Sequence, residues 1–225
     1  GHIHSLLDGE RVTALSIIAS ISFFCQRLYN IFMLKKFIIG IDEAGRGPLA
    51  GPIVAAAVLN NFSFRTKKIL AQAKDSKKLT PKRREDLFLP IIKNTIWSVR
   101  ALDNKFIDKY GIQVANVLLF YELGQDLLAQ AKGRARIVAD YVGGAPDKLR
   151  HIEFFKQGES QHQEIAAASI IAKVYRDRLM IALDKTFPHY DFCLHKGYGT
   201  KQHYQNLDEF GLSPIHRQTF LKNYL

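Results

Sequence analysis

Phe37-Ile38-Ile39-Gly40-Ile41-Asp42-Glu43-Ala44-Gly45-Arg46-Gly47-Pro48 runs from an apolar strand pattern into two adjacent carboxylates and then into a glycine-rich turn. Neighbouring strand residues point to opposite faces of a sheet, so adjacent acids share one partner only where the strand ends and the chain turns. Glycine permits such a turn and lets backbone approach a ligand closely. Carboxylates on the lip of a buried strand are costly unless something positive binds them. The stretch therefore reads as a strand end that carries a metal-and-phosphate site.

Further along the chain, strand patterns fall at 53–59, 95–102, 136–139 and 152–156, and helical patterns at about 81–93, 112–131, 161–185 and 200–209. Strands mixed with long helices predict an α/β fold with a central sheet. The short Gly/Pro connection between the first two strands predicts an antiparallel pair. No internal repeat and no long linker is visible.

Residues 1–34 have a different character. Val12 to Gln26 carry no charge, but Ser16, Ser20, Ser22, Gln26, Arg27 and Asn30 interrupt the apolar run. A membrane crossing wants about 20 consecutive apolar residues, and no small-residue cleavage pattern marks a secretory signal. Ile17, Ile21, Phe24 and Leu28 recur at helical spacing, which predicts an amphipathic helix rather than a membrane anchor. We therefore expect an N-terminal extension over 1–34, an appended or upstream segment, and the main folded domain over 35–225.

With 225 residues, 47% hydrophobic and 24% charged, the chain can bury one full core. Its formal net charge of +11 points to a polyanionic partner, nucleic acid before anionic membrane; the alternative is a merely soluble basic protein. Cys25 and Cys193 form no Cys-x-x-Cys pair, which argues against a disulfide framework or a thiolate zinc site and fits a reducing cytoplasm.

Two further acids join the opening pair. Asp140 ends the apolar run Arg136-Ile137-Val138-Ala139 much as Asp42 ends its own. If the two strands are neighbours, their carboxylates meet at one rim. Asp177 lies on the helical stripe shared by Ala166, Ile170 and Lys173. That helix is expected to begin with a capping box, Ser160 as N-cap and Gln163 reaching back. Carboxylates around one point cannot all stay ionised without cations. Hard divalent ions, Mg²⁺ or Mn²⁺, suit oxygen ligands, and two of them about 4 Å apart could hold both the attacking and leaving oxygens of a phosphoryl displacement. Each acid also has a plainer reading. Asp177 could pair with Lys173, Arg176 or Arg178, Asp140 could cap a turn, and Asp42-Glu43 could be turn chemistry.

The block from Gly40 to Pro52, GIDEAGRGPLAGP, resembles the N-terminal signature of the ribonuclease HII family. Asp75-Ser76-Lys77-Lys78-Leu79 resembles that family's next block, and Ile165 to Val174 with Arg176-Asp177-Arg178 resembles the third. His195-Lys196-Gly197-Tyr198-Gly199-Thr200, then Ser213-Pro214 and His216-Arg217, resemble the remainder. The resemblance runs in order from about 37 to 220 and leaves 1–34 without a counterpart.

It implies a ribonuclease H-like fold, a central mixed sheet flanked by helices, with a C-terminal helical extension. It also implies a site of two divalent ions, Mg²⁺ or Mn²⁺, on Asp42, Glu43, Asp140 and Asp177. The family usually has Gly directly after the third acid; here Tyr141 follows Asp140, and the nearby Asp147 follows Pro146 in a loop. The implied activity is cleavage of RNA in RNA–DNA hybrids and incision 5′ to single ribonucleotides in duplex DNA, leaving a 3′-hydroxyl and a 5′-phosphate. A monomer without an obligate protein partner is expected.

The 2′-hydroxyl distinguishes RNA from DNA at a given site, and the Gly45-Arg46-Gly47 backbone is free to approach it. By resemblance, Tyr198 reads the junction, bonding the 2′-hydroxyl and packing on the next, deoxy sugar; its plain reading is a half-buried tyrosine. Lys67, Lys68, Lys74, Lys77, Lys78, Lys82, Arg83 and Arg84 form a basic run, much of it a solvated helix face. Ser76, Lys77 and Lys173 are the better candidates for phosphate contacts, which position a duplex without reading its sequence. His195, His203 and His216 are read as structural. The rival readings are a hybrid-binding protein without catalysis and another nuclease of the ribonuclease H type.

Overall fold

The opening stretch forms β1 (Phe37–Ala44), and β2 (Ile53–Asn60) returns beside it in antiparallel register, with Asp42 opposite Ala56 and Glu43 opposite Ala55. The computed structural model describes residues 37–73, 79–140, 149–222 and 224. The expected 1–34 extension and its amphipathic helix lie outside the described residues. Among the described residues no helix is long and apolar enough to cross a membrane.

The remaining elements, in chain order, are α1 (Phe64–Leu70), α2 (Pro81–Asn94), β3 (Ile96–Leu102), α3 (Asn104–Tyr110) and α4 (Ile112–Gln130). Then come β4 (Ala135–Asp140), β5 (Ile152–Phe155), α5 (Gly158–Gln161), α6 (Gln163–Thr186), α7 (Phe192–His195) and α8 (Lys201–Phe210). The sheet order is β3-β2-β1-β4-β5. β2 pairs antiparallel with β1 and β3, whereas β1–β4 and β4–β5 are parallel. The sheet is mixed, as expected.

Alternation along β2 shows how the sheet is covered. Ala55, Ala57 and Leu59 face a core shared with Leu119, Phe120, Leu123 and Leu127 of α4. Val54, Ala56 and Val58 face the opposite core, built with α2 and the Ala166-Ala167-Ala168 run of α6. A sheet buried on both faces reads as a continuous apolar run, which is the sequence of β2. The small residues of α6 let it lie directly on the sheet. A Cβ built on Gly40 would stand 2.2 Å from the Glu164 carbonyl carbon and 2.4 Å from Ile165 N, so β1 and α6 meet backbone to backbone there.

Cap chemistry sets several helix starts. Thr80 accepts from Arg83 N at the head of α2, which also has Pro81 in its first turn, and Thr200 accepts from His203 N at the head of α8. The expected capping box at Ser160 does not form. Residues 158–161 make their own short helix, entered through Gln157 in the left-handed region, and the Ser160 hydroxyl donates to the Gln157 carbonyl. α6 starts after His162 without a side-chain cap. A third core, with Leu49, Met180, Tyr190, Phe192, Leu207 and Leu221, packs the C-terminal helical elements against the segment that follows β1.

Candidate active site

β1 and β4 are parallel neighbours with Ile41 opposite Ala139, so the next residues, Asp42 and Asp140, emerge at the same rim. Asp42 is buried and its pKa is raised well above the ordinary carboxylate value. Burial is the largest cause, followed by the charges of Glu43 and Asp140; Ser169 on α6 and the Glu43 N–H act in the opposite sense. Glu43 is pushed up to about 7, first by burial and then by Asp140, against the opposing pull of Arg46 and Asn116. Arg46 Nη1 stands 3.8 Å from Glu43 Oε1, and Arg46 Nη2 donates to Gln113 Oε1 of α4 at 3.1 Å.

This rim suits a hard divalent cation. Its donors are carboxylate oxygens, its groups repel one another when ionised, and Glu43 Oε2 is buried with no hydrogen-bond partner. As the side chains lie, no group of three or more His, Cys, Asp or Glu among the described residues is arranged to hold an ion. Raised carboxyl pKa values have the same physical origin, since acids that share a site without a cation hold protons or stand apart.

Asp177, the other acid named from the sequence, is not among the charges acting on Asp42 or Glu43. It accepts from Lys173 Nζ at 2.8 Å, one helical turn away, and lines an adjoining cleft with Lys196 and Leu194. Sequence reasoning passed over Glu159. It lies on α5, is 6% exposed, and follows Gly158, whose N–H donates to Asp140 Oδ1 at 2.9 Å. A four-residue helix has no periodicity to reveal it. The only available signal was an acid just after the β5 strand pattern.

The turn after β1 is held by two buried arginines. Arg217 donates through Nη2 to the Gly45 carbonyl (2.7 Å), through Nη1 to that of Arg46 (3.0 Å) and through Nε to that of Gly51 (3.0 Å). Arg176 donates to the carbonyls of Pro52 (3.0 Å), Lys196 (2.9 Å) and Ala50 (3.2 Å). Both are fully buried, and among the described residues neither has an ion-pair partner within 4 Å. Burial lowers the pKa of each, that of Arg217 to about 9. Because the C=O and following N–H of a peptide point in opposite directions, carbonyls of Gly45 and Arg46 turned toward Arg217 leave the N–H groups of Arg46 and Gly47 turned away from it.

Tyr198 sits on a loop locked into the same frame. Gly197 O accepts from Leu49 N (2.8 Å) and Ala50 N (3.3 Å), and a Cβ on Gly197 would stand 2.6 Å from the Ala50 carbonyl oxygen. Tyr198 is 42% exposed, with Lys173 Nζ 5.7 Å and the Arg176 guanidinium 5.8 Å from its ring centroid. Behind it runs a chain of histidines. His216 Nδ1 accepts from Ser213 N, which leaves its Nε2–H to donate to His203 Nε2 (2.9 Å), and His203 Nδ1–H donates to the Tyr198 carbonyl (2.9 Å). His203 and His216 are both pushed down to about 4, chiefly by burial. They are structural, as expected.

A cleft of about 380 Å³ is lined by Glu43, Gly45, Arg46, Gly47, Lys173 and Tyr198, together with Arg84 of α2 and Ser169 of α6. Arg84, Lys173 and Tyr198 also line the adjoining cleft that holds Asp177. Of the expected site residues, the structure thus gathers Glu43, Gly45, Arg46, Gly47, Lys173 and Tyr198 around one opening, while Asp42 and Asp140 lie at the ends of β1 and β4 near Glu43. Ser76 and Lys77 lie outside the described residues. Among the described residues of the basic run, Arg84 lines this opening.

The profile of Ribonuclease HII matches residues 39–223. The chain is 43% identical over 195 residues to a Ribonuclease HII of Caldicellulosiruptor bescii, covering 84% of this chain and 89% of the relative. It is 44% identical over 197 residues to a Ribonuclease HII of Rickettsia bellii, covering 88% and 94%. Among solved structures, it is similar to the RNase HII in the PCNA:RNase HII complex from Archaeoglobus fulgidus (TM-score 0.67, 26% identity, 80% of this chain and 93% of that one). It is also similar in fold to Bst-RNase HIII in complex with Mn²⁺ (TM-score 0.66, 22% identity, 82% and 64%). A rim of buried acids beside a clamped glycine turn, on a mixed sheet of this order, thus coincides with a match along nearly the whole described body: the chain belongs to the ribonuclease HII family, endonucleases of the ribonuclease H type that act on RNA–DNA hybrids.

Proposed function

We propose that the chain incises duplex DNA on the 5′ side of a single embedded ribonucleotide, as well as cutting the RNA strand of longer hybrids, and leaves a 3′-hydroxyl and a 5′-phosphate. The observation that carries this is the shared opening. Glu43 of the acid rim, the Gly45–Gly47 backbone and the exposed Tyr198 ring line one cleft, so a 2′-hydroxyl and its neighbouring phosphate can be met together.

Asp42, Glu43 and Asp140 would hold two divalent ions, Mg²⁺ or Mn²⁺. When bound, such ions supply charge that polarises the scissile phosphate and acidifies the attacking water. The remaining work belongs to the chain. Arg176 and Arg217 fix the turn so that the N–H groups of Arg46 and Gly47 can meet oxygens of the RNA nucleotide. Tyr198, held by the histidine chain, packs on the sugar that follows it. Lys173 and Arg84 pair with phosphates on either side; Ser76 and Lys77 are proposed as phosphate contacts from the family resemblance alone. Asp177 belongs with Lys173 in the groove, and Glu159 is proposed as the acid that joins the rim beside Asp140. The chain is proposed to act as a monomer without an obligate protein partner.

The test is a Mg²⁺ or Mn²⁺ incision assay on a duplex with one ribonucleotide. Efficient cutting 5′ to it is expected; cleavage confined to long hybrids would overturn the single-ribonucleotide reading, and tight hybrid binding without any cleavage would favour a non-catalytic binder. Comparing Glu159→Gln with Asp177→Asn in the same assay assigns the last acid. The former is expected to lose more.

A further inference from the structure

α4 contributes an anomalous residue to its buried stripe. Ala115, Leu119, Phe120, Leu123 and Leu127 belong to the apolar core on that face of the sheet. Among them Asn116 is 0% exposed, and neither its Oδ1 nor its Nδ2 has a hydrogen-bond partner. A buried amide left unbonded costs as much as losing a hydrogen bond, and an apolar side chain of similar size would not incur that cost. Stability alone therefore does not account for Asn116.

Its surroundings do. One turn earlier on the same helix, Gln113 holds Arg46, and Arg46 stands over Glu43. Glu43 has the complementary deficit, an Oε2 that is buried and unbonded. Asn116 already lies close enough to favour the ionised Glu43 carboxylate. Two unmet polar groups of opposite sense thus stand next to each other, Arg46 reaching Glu43 from the open cleft and Asn116 from the core.

We propose that Asn116 is a positioning residue for Glu43, its Nδ2–H being the donor that fixes the carboxylate at the angle needed to receive a divalent cation. The inference rests on the reading of Glu43 as a cation ligand. Partners behind a metal ligand orient it and raise its affinity for the ion, and their loss typically weakens binding roughly 10–100-fold. Asn116 touches neither substrate nor ion in this scheme.

The experiment pairs metal-free thermal melts with Mn²⁺ titration followed by electron paramagnetic resonance, on the full chain and on Asn116→Leu and Asn116→Thr. In Asn116→Leu we expect a metal-free melting temperature equal to or above that of the parent, with Mn²⁺ bound roughly 10–100-fold more weakly. Asn116→Thr, which keeps a donor, should recover part of that affinity. Unchanged Mn²⁺ affinity in Asn116→Leu would overturn the proposal. So would a sharp fall in metal-free melting temperature, or failure of Asn116→Leu to fold, because the fold itself would then need the amide. If the parent chain takes up no Mn²⁺, the cation reading of Glu43 falls instead, a distinguishable result.

Discussion

The acid rim and the clamped turn adjoin one another, yet they satisfy their polar groups in opposite ways. At the rim, Asp42 is buried and Glu43 partly buried next to like charges, and the buried Glu43 Oε2 and the Asn116 amide lack partners. In the turn, Arg176 and Arg217 are fully buried, but each spends Nε, Nη1 and Nη2 on backbone carbonyls. One region is left short of counter-charge and the other is over-determined. The difference separates what a ligand must complete from what the fold completes in advance.

The sharpest way to break this contrast is at the rim. Asp42→Asn removes a buried charge that its neighbours oppose, so the metal-free melting temperature should hold or rise while incision falls by roughly three orders of magnitude, the scale of losing several kcal/mol of electrostatic stabilisation. Turnover near that of the parent would remove the metal-site argument. The opposite outcome is expected in the turn. Arg217→Met strands the carbonyls of Gly45, Arg46 and Gly51, each costing about 1–3 kcal/mol, and urea denaturation should show a clear loss of stability. An unchanged midpoint would mean that the clamp is ornamental.

A smaller effect separates the two glycines of the turn. Gly45 has φ +97°, and a Cβ there would stand 2.2 Å from Arg176 Nε, whereas a Cβ on Gly47 meets nothing within 4 Å. Gly47→Ala should therefore keep its stability within about 0.5 kcal/mol and still raise KM for the one-ribonucleotide duplex, because only a bound substrate crowds that position. Equal KM values for variant and parent would take Gly47 out of the recognition surface.

The smallest effect is in the histidine chain behind Tyr198. His203 and His216 titrate near 4 in the fold against an ordinary 6.5, so the unfolded chain binds protons that the native one refuses. Their contribution to stability is present above pH 6.5 and is lost as pH falls toward 4. The raised Glu43 carboxyl acts in the opposite direction between about 7 and its ordinary 4.5, so bulk melting mixes the two. NMR titration of the imidazoles separates them; a midpoint near 6.5 for both rings would contradict the arrangement.

Much of the rim was legible because strands announce themselves. Asp42 and Asp140 each end an apolar run, and parallel pairing of β1 with β4 needed only that the two runs be neighbours. The histidines were readable as structural for a negative reason, since a metal-activated water needs no histidine base. The remainder was hidden by long-range geometry. Nothing local tells a buried Arg217 from a surface one, because its acceptors lie 166 to 172 residues away. Asn116 looks like an ordinary polar interruption of a helix. Asp177 shares its helical stripe with Ala166 and Ile170, but the same spacing brings Lys173 within 2.8 Å. Ser160 matched a cap pattern that lost to a separate turn of helix, because Gln157 enters the left-handed region first.

The backbone contact between Gly40 and α6 has a consequence for how this enzyme can change. Ser169, which faces Asp42, is set by the height at which α6 rides on β1, and that height is set by a missing side chain. Under the proposed assignment, the geometry of the acid rim depends on thickness as well as on chemistry. A single methyl group at position 40, buried between strand and helix, would lift the helix and widen the gap between Ser169 and the acids. Redesign of the active site can vary the residues that touch nucleic acid, but it has to leave this spacing alone.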